Sequence, residues 1–307
     1  MSFTVNQAFV TKFAEDFHVL AQQSVSRLEN LVRRRPGTIT GESFTIETLA
    51  TAVSTVNRGR HTDLSYNNMA HVRRYADMQD LTSAELLDSM DKLKLLADPM
   101  NSYSQNLVSA INRGKDSIII QAALGNVRTA SGVSALPAGQ IIVDGGTGLT
   151  VAKLRQAKLL LDEAEMDDSD FFRNRGLAQA KQDPFGNLAS PSYIIVCSSK
   201  QIDNMLADSD VKSADYNSIK ALVSGSINTY MGFMFIRVPS NQLPLTGSVR
   251  SPFAFAPRAI EYGVGLETNA KMDYIAHKDS WQTLAKGSFG AARAEDAGIV
   301  QINCLES

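Results

Sequence analysis

The stretch with the most parts of a chemical site is Ile141-Ile142-Val143-Asp144-Gly145-Gly146-Thr147-Gly148, which leads into a helical pattern after Thr150. A strand, a glycine turn and a helix N-terminus make a phosphate cradle, because free backbone N–H groups and the helix dipole both favour an anion. The residues that complete such cradles are missing. No Gly-Lys-Ser/Thr follows the glycines, and GxGxxG is absent. The segment reads as a connection into a Thr-capped helix, with a phosphate-binding α/β enzyme kept as an alternative.

Other candidates are weaker. The acidic run from Glu163 to Asp170 lacks the alternating ligands and turn glycine of a calcium loop. It reads as a solvated helix end. His18, His61, His71 and His277 have no HExxH partner and no neighbouring cysteine. Ser198-Ser199-Lys200 follows a strand and reads as helix capping rather than a Ser-Lys pair, and no Gly-x-Ser-x-Gly elbow exists. Cys197 and Cys304 each close a β-like run and read as buried thiols, with no CxxC pair. No catalytic residue, metal ligand or cofactor site is assigned, and the expectation is that the protein is not an enzyme.

A further polar cluster, Arg58, Arg60, His61 and Asp63, sits at a turn. Its two guanidiniums need acceptors, and carboxylates of a second subunit suit their bidentate geometry. The turn belongs to an arm. Residues 36–80 alternate apolar and polar positions in Phe44/Ile46 and again from Met69 to Tyr75, with Thr, Val and Ile enriched. They read as a long two-stranded ribbon. Such a ribbon is marginal alone in water, so it must lie on another surface. With no catalytic centre elsewhere, that surface is expected on a neighbouring copy, with Phe44 and Ile46 among the contacts.

The elements around the arm are mixed. Val5, Phe9, Phe13, Phe17, Leu20, Leu28 and Leu31 are spaced as an amphipathic helix over 5–32. Arg33-Arg34-Arg35 would complement the dipole at its end, and Pro36-Gly37 would stop it; contact with DNA is compatible with the same arginines. Thr82-Ser83-Ala84-Glu85 has the form of a capping box before a helix carrying Leu86, Met90, Leu93 and Ala97. Asp98-Pro99 opens a second helix with a stripe of Tyr103, Leu107, Ile111, Gly114, Ile118 and Ala122, ending near Gly125. At roughly 26 residues it would be about 39 Å long, a structural spine. Residues 126–147 hold one short strand at 140–143, and 165–191 read as irregular. Strands are expected at 193–197, 230–239, 252–264, 271–277, 281–293 and 298–304, with short helices near 200–207 and 214–223.

Composition bounds the role. The chain has 307 residues, enough for one large domain or two moderate ones, and 44% are hydrophobic. A net charge of −2 argues against a protein whose main task is gripping nucleic acid, though not against one that encloses it. The first residues carry Glu15 and Asp16 and no basic leader, so no signal peptide is expected. No apolar run is long enough for a membrane span, and cysteine use fits a reducing cytoplasm.

In this order the segments resemble the major capsid proteins of tailed bacteriophages with the Hong Kong 97 fold. The resemblance is carried by Arg60-His61-Thr62-Asp63, Asp91-Lys92-Leu93, Asp98-Pro99, Ser102-Tyr103, Gly146-Thr147-Gly148-Leu149-Thr150, Ser213-Ala214-Asp215-Tyr216-Asn217 and Gly232-Phe233-Met234-Phe235-Ile236. It implies an α+β shell subunit, with an N-terminal arm (1–38), an extended loop (39–80), a peripheral domain with the spine helix (81–147 and 258–307) and an axial domain (148–257). It implies hexamers and pentamers of this chain in an icosahedral shell around double-stranded DNA, assembled in the host cytoplasm. A portal is an expected partner and a decoration protein an optional one. A separate scaffolding protein is expected because the chain begins almost directly with the arm. Arg33, Arg34 and Arg35 become interior, DNA-facing candidates. A nanocompartment shell of the same fold stays open as the alternative.

Overall fold

The structure is a computed structural model that describes residues 20–52, 54, 66–90, 100–166, 192–207 and 229–306. In chain order the strands are β1 (Arg33–Arg34), β2 (Ser43–Leu49), β3 (His71–Asp88), β4 (Val127–Thr129), β5 (Gly132–Ser134), β6 (Ile141–Ile142), β7 (Tyr193–Cys197), β8 (Thr229–Tyr230), β9 (Phe233–Arg237), β10 (Leu245–Thr246), β11 (Val249–Arg250), β12 (Phe253–Phe255), β13 (Ile260–Ile275), β14 (Ser280–Arg293), β15 (Ile299–Ile302) and β16 (Cys304–Leu305). Among the described residues the helices given whole are α1 (Met100–Leu124), α2 (Val151–Glu163) and α3 (Ser199–Ala207).

Among the described residues the strands form three sheets. One has the order β1-β13-β14-β3-β4-β5, with β2 also on β3. A second runs β6-β15-β12-β7-β9-β8, and a small third is β10-β11-β16. By internal contacts the chain forms two compact units. One is drawn from residues 1–26, 80–114 and 266–288, the other from 27–79, 115–265 and 289–307.

The second sheet shows how sequence makes core. Tyr193-Ile194-Ile195-Val196-Cys197 is apolar without alternation, and all five residues are buried. A strand covered on both faces needs that pattern. Its neighbours supply Phe233, Phe235 and Ala254, and α2 lays Leu154, Ala157 and Leu161 into the same cluster. Thr150 caps α2, its hydroxyl oxygen accepting the N–H of Lys153 at 3.4 Å. Cys197 and Cys304 are buried free thiols, and burial pushes them up to about 12 and about 11 respectively.

Several expectations are corrected. Within the helix expected over 5–32, residues 1–19 lie outside the described residues. Residues 20–32 contain only a 3-10 turn at Glu29–Leu31. Side chains of α1 satisfy this segment in place of helical bonds: Asp116 accepts the N–H groups of Arg27 and Leu28 at 3.1 Å, and Asn112 donates to the Ser24 carbonyl at 2.7 Å. The arginine triplet therefore ends no helix, because Arg33 and Arg34 form β1, parallel to β13 at Glu261 and Tyr262.

Thr82 and Glu85 form no capping box either. β3 runs through them to Asp88, since pairing in a sheet outweighs a local capping preference. The first helical residues there are Ser89 and Met90, with the Asp88 carboxylate accepting the Met90 N–H at 2.8 Å. The expected strand over 230–239 is a hairpin. Met231 and Gly232 (φ 53° and 86°) make the tight turn between β8 and β9. β13 is continuous where two strands were expected, and residues 127–134 add the β4–β5 hairpin.

The expected boundaries at 147/148 and 257/258 are cut across by the second sheet. β6 lies parallel to β15, and β15 pairs with β12. The C-terminal strands thus join residues 193–255 rather than a peripheral group. The irregular stretch over 167–191 and the helix over 214–223 lie outside the described residues.

Candidate assembly surfaces

The ribbon root carries the most informative geometry. β2 and β3 pair antiparallel with Phe44 opposite Ala76, Ile46 opposite Arg74 and Thr48 opposite Val72 on one face. Ser43/Asp77, Thr45/Tyr75, Glu47/Arg73 and Leu49/His71 occupy the other. Side chains alternate between faces along a strand, so each face can be followed outward from the root.

The first face is buried at the root. Phe44 and Ile46 are 6% and 3% exposed, in a cluster with Ala76, Ala292 and Ala294 and flanked by Ile39 and Met78. A Cβ at Gly263 would meet Phe44 Cε1 at 2.6 Å, so the glycine makes room for the ring. These two residues, expected at contacts between copies, are committed to their own chain. The reason is that β3 is no lone ribbon strand. It is an inner strand of a seven-stranded sheet, and its sheet partners cover the root.

A buried ionic network fixes the same face. Arg74 donates to both carboxylate oxygens of Asp296 at 2.8 Å and to the Arg293 carbonyl at 3.1 Å. Arg293, fully buried, also pairs with Asp296. Its guanidinium donates to the carbonyls of Ala123, Gly125 and Ser134 at 2.9–3.3 Å. The root is thereby tied to the last turn of α1 and to β5. Burial alone would hinder ionisation of Asp296, but the hydrogen bonds and charges of Arg74 and Arg293 outweigh it and hold the carboxyl below the usual aspartate value.

Further out, the same face loses its cover. Val72 is 42% exposed, and Ala50 and Ala70 beyond it on this face are exposed too, while Leu49 is exposed on the other face and Met69 and Tyr66 further along the chain. The strands stay paired there, with the Ala50 N–H donating to the Ala70 carbonyl at 3.0 Å. An apolar face that starts in the core and continues into solvent is what a docking surface looks like before it docks. Exposed pairs along the other face, Arg73–Glu47 and Arg128–Asp77 (both 2.6 Å), add little energy but favour this register. In the unit containing residues 266–288, Leu266, Met272 and Tyr274 on β13 form a second exposed apolar set.

Arg58, Arg60, His61 and Asp63 lie outside the described residues. The arginine triplet is described. Arg33 Nε lies 3.5 Å from Glu261, Arg34 Nη1 3.9 Å from Glu29, and Arg35 sits 5.3 Å over the Phe44 ring. Each of the three guanidiniums thus has a partner within the chain.

The glycine turn has no phosphate geometry. Its carbonyls point at a lysine that sequence reading passed over. Lys153 Nζ donates to the carbonyls of Asp144, Thr147, Gly148 and Asn303 at 2.7–3.0 Å. Gly145 and Gly146 adopt positive φ (54° and 70°), which curls the turn around the ammonium. Burial lowers the Lys153 pKa, opposed by Cys304 and Asp144 nearby. Lys153→Met should leave several buried carbonyls without a donor and cost about 3 kcal/mol, read as a lower denaturant midpoint. A variant as stable as the parent would show that the turn does not depend on the lysine.

Among the described residues no group of His, Cys, Asp and Glu could hold a metal ion, and no helix is long and apolar enough to cross a membrane.

Comparison with known proteins adds family context. A family profile described as phage capsid protein matches residues 5–306. Among solved structures, the capsid of Ralstonia phage GP4 aligns with a TM-score of 0.68 at 10% identity, covering 100% of this chain and 98% of that one. The capsid of Helicobacter pylori bacteriophage KHP30 gives 0.67 at 12%, covering 99% and 98%. That of cyanophage P-SCSP1u gives 0.63 at 16%, covering 99% and 95%. No curated protein sequence matches.

Proposed function

The chain belongs to the phage capsid protein family, with the α+β Hong Kong 97-like fold, and from that premise we propose how it builds the head shell. It is a structural subunit of the virion capsid. Copies assemble as hexamers and pentamers into a closed icosahedral shell around double-stranded DNA, in the host cytoplasm. The distal ribbon of each copy rests on a neighbour, where Arg58, Arg60, His61 and Asp63 meet carboxylates and donors of that copy. A portal and a separate scaffolding protein are the partners this reading calls for, and a decoration protein would be additional. No step of catalysis is involved.

The observation that carries the reading is the ribbon face that is buried at Phe44 and Ile46 and exposed at Val72. Docking it removes apolar surface from water, worth about 25 cal/mol per Å2 before ordering costs. Many such contacts close a shell cooperatively, and a net charge of −2 keeps repulsion between copies small.

Electron microscopy of the concentrated, purified protein tests this. Closed particles that protect nucleic acid from nuclease are expected. Particles filled with a cargo protein instead would favour a nanocompartment, and a stable monomer would overturn the reading.

A further inference from the structure

The segment leading into β1 gathers arginines while its acids are tucked away. Arg27, Arg33 and Arg34 are exposed on it. Arg27 donates to the carbonyl of Arg237 at the end of β9. β1 pairs with the start of β13 and packs against the 257–259 turn that carries Arg258. Arg237 and Arg258 are exposed as well. Five guanidinium groups from three stretches of chain are therefore brought to one segment.

Among the described residues the acids at this place are Glu29, Asp116, Glu261 and Glu295, and none of the four is exposed. The Glu261 side chain is 12% exposed, whereas Arg33, which it pairs, is 62% exposed. Glu29 takes the Lys115 ammonium at 3.1 Å. Glu295 abuts the turn through its N–H to the Ala259 carbonyl at 3.4 Å. Carboxylates lie beneath and guanidiniums outward, so the surface is positive in a chain that is slightly acidic overall.

Arg34, adjacent to Arg33 on β1, points to the opposite face, and we propose that Arg27, Arg33, Arg237 and Arg258 form a surface that binds the phosphate backbone of double-stranded DNA without reading its sequence. This rests on the chain being a shell subunit around DNA. Arginine forks match phosphate oxygens, and phosphate contacts are made by solvated side chains along a line of charge. Arginines that anchor a protein partner sit instead in desolvated pockets. Binding at this surface releases counterions and so weakens with salt.

The test is binding of the purified protein to a short mixed-sequence DNA duplex over a salt series, read by fluorescence anisotropy. Arg237→Gln with Arg258→Gln removes two contacts. The slope of log affinity against log salt should shrink by about 1.8, with roughly 60-fold weaker binding at about 0.1 M salt. Arg237→Lys with Arg258→Lys should keep the slope. Arg73→Gln with Arg128→Gln, the same charge change on arginines paired with Glu47 and Asp77, should leave it unaltered. An unchanged slope in the first pair, or an equal loss in the last, overturns the proposal. Polyglutamate bound more tightly than the duplex would also overturn it, in favour of an acidic protein. Particle formation scored on the same samples separates the two readings: shells without DNA affinity refute only this surface, while no shells from the parent chain refute assembly.

Discussion

Replacing residues 51–69 with Asn-Gly, so that Ala50 connects through two residues to Ala70, is expected to abolish shell formation while leaving a folded subunit. The Ala50 N–H donates to the Ala70 carbonyl, so among the described residues these two form the outermost hydrogen-bonded pair of the ribbon. A two-residue turn closes on such a pair, and Asn-Gly supplies the positive φ values that turn requires. Everything that holds the root stays: Phe44, Ile46 and Ala76 in their cluster, and Arg74 on Asp296. A wider deletion that removed Phe44, Ile46 and Arg74 would open that cluster and strand Asp296, confusing misfolding with failure to assemble. What the shorter deletion removes is the exposed continuation with Tyr66 and Met69 and the candidate contacts Arg58, Arg60, His61 and Asp63. A lost contact of roughly 400 Å2 is worth about 10 kcal/mol per copy before ordering costs, well beyond what weak neighbouring contacts replace. Size-exclusion chromatography and electron microscopy should show particles reduced by more than about tenfold, with an unchanged thermal midpoint. Normal shells from this variant would mean that the distal ribbon is not the contact that closes them.

Much of this architecture was legible in the sequence because local pattern and tertiary demand agreed. Apolar residues three and four apart gave α1, and Leu107, Ile111 and Ile118 are buried as that spacing requires. The unbroken run of β7 and the Thr150 cap of α2 were equally readable. Disagreement appeared where a local signal competed with pairing. The Thr82 to Glu85 motif can cap a helix, but its residues complete a long strand. Arg33 and Arg34 can sit at a helix end, but a parallel partner in β13 claims their backbone.

Two functional side chains left traces that went unweighed. Lys153 lies four residues before Ala157 and eight before Leu161, so it shares the apolar stripe of α2. Arg74 falls between Val72 and Ala76 on an alternating face, so it enters the core with Ala76. A charge placed in register with apolar residues foretells a buried partner, here four carbonyls in one case and Asp296 in the other. The partner itself is far away in sequence and has no local signature.

Asp296→Ala should be among the most destabilising single changes in the chain. The substitution leaves two arginines, one fully buried, with their carbonyl contacts but no counter-charge. Removing one member of a buried ion pair typically costs about 3–5 kcal/mol, because the remaining charge stays desolvated. At about 2–4 °C per kcal/mol for a domain of this size, the thermal midpoint should drop by about 6–20 °C. The amides of β2 and β3 should exchange with solvent faster, since Arg74 no longer fixes the root. Asp296→Asn keeps an acceptor and should fall between the parent and the alanine variant.

The acid dependence has a definite sign. The folded carboxyl titrates below its unfolded value of about 3.9. Its contribution is therefore complete above about pH 4 and fades as pH falls through the folded pKa. From pH 5 to pH 2 the parent should lose more stability than Asp296→Asn, which has no such carboxyl to protonate. Parallel acid curves for the two proteins, or a midpoint for Asp296→Ala within about 2 °C of the parent, would show that the sheet holds the ribbon root without this carboxylate. The defect would then have to be sought in Phe44 and Ile46 alone. If the expected loss is seen, the network is what keeps the ribbon at a fixed angle to the core. Assembly should then fail in Asp296→Ala at temperatures where the subunit is still folded, because a ribbon with a loosened root cannot present its exposed face to a neighbour in one orientation.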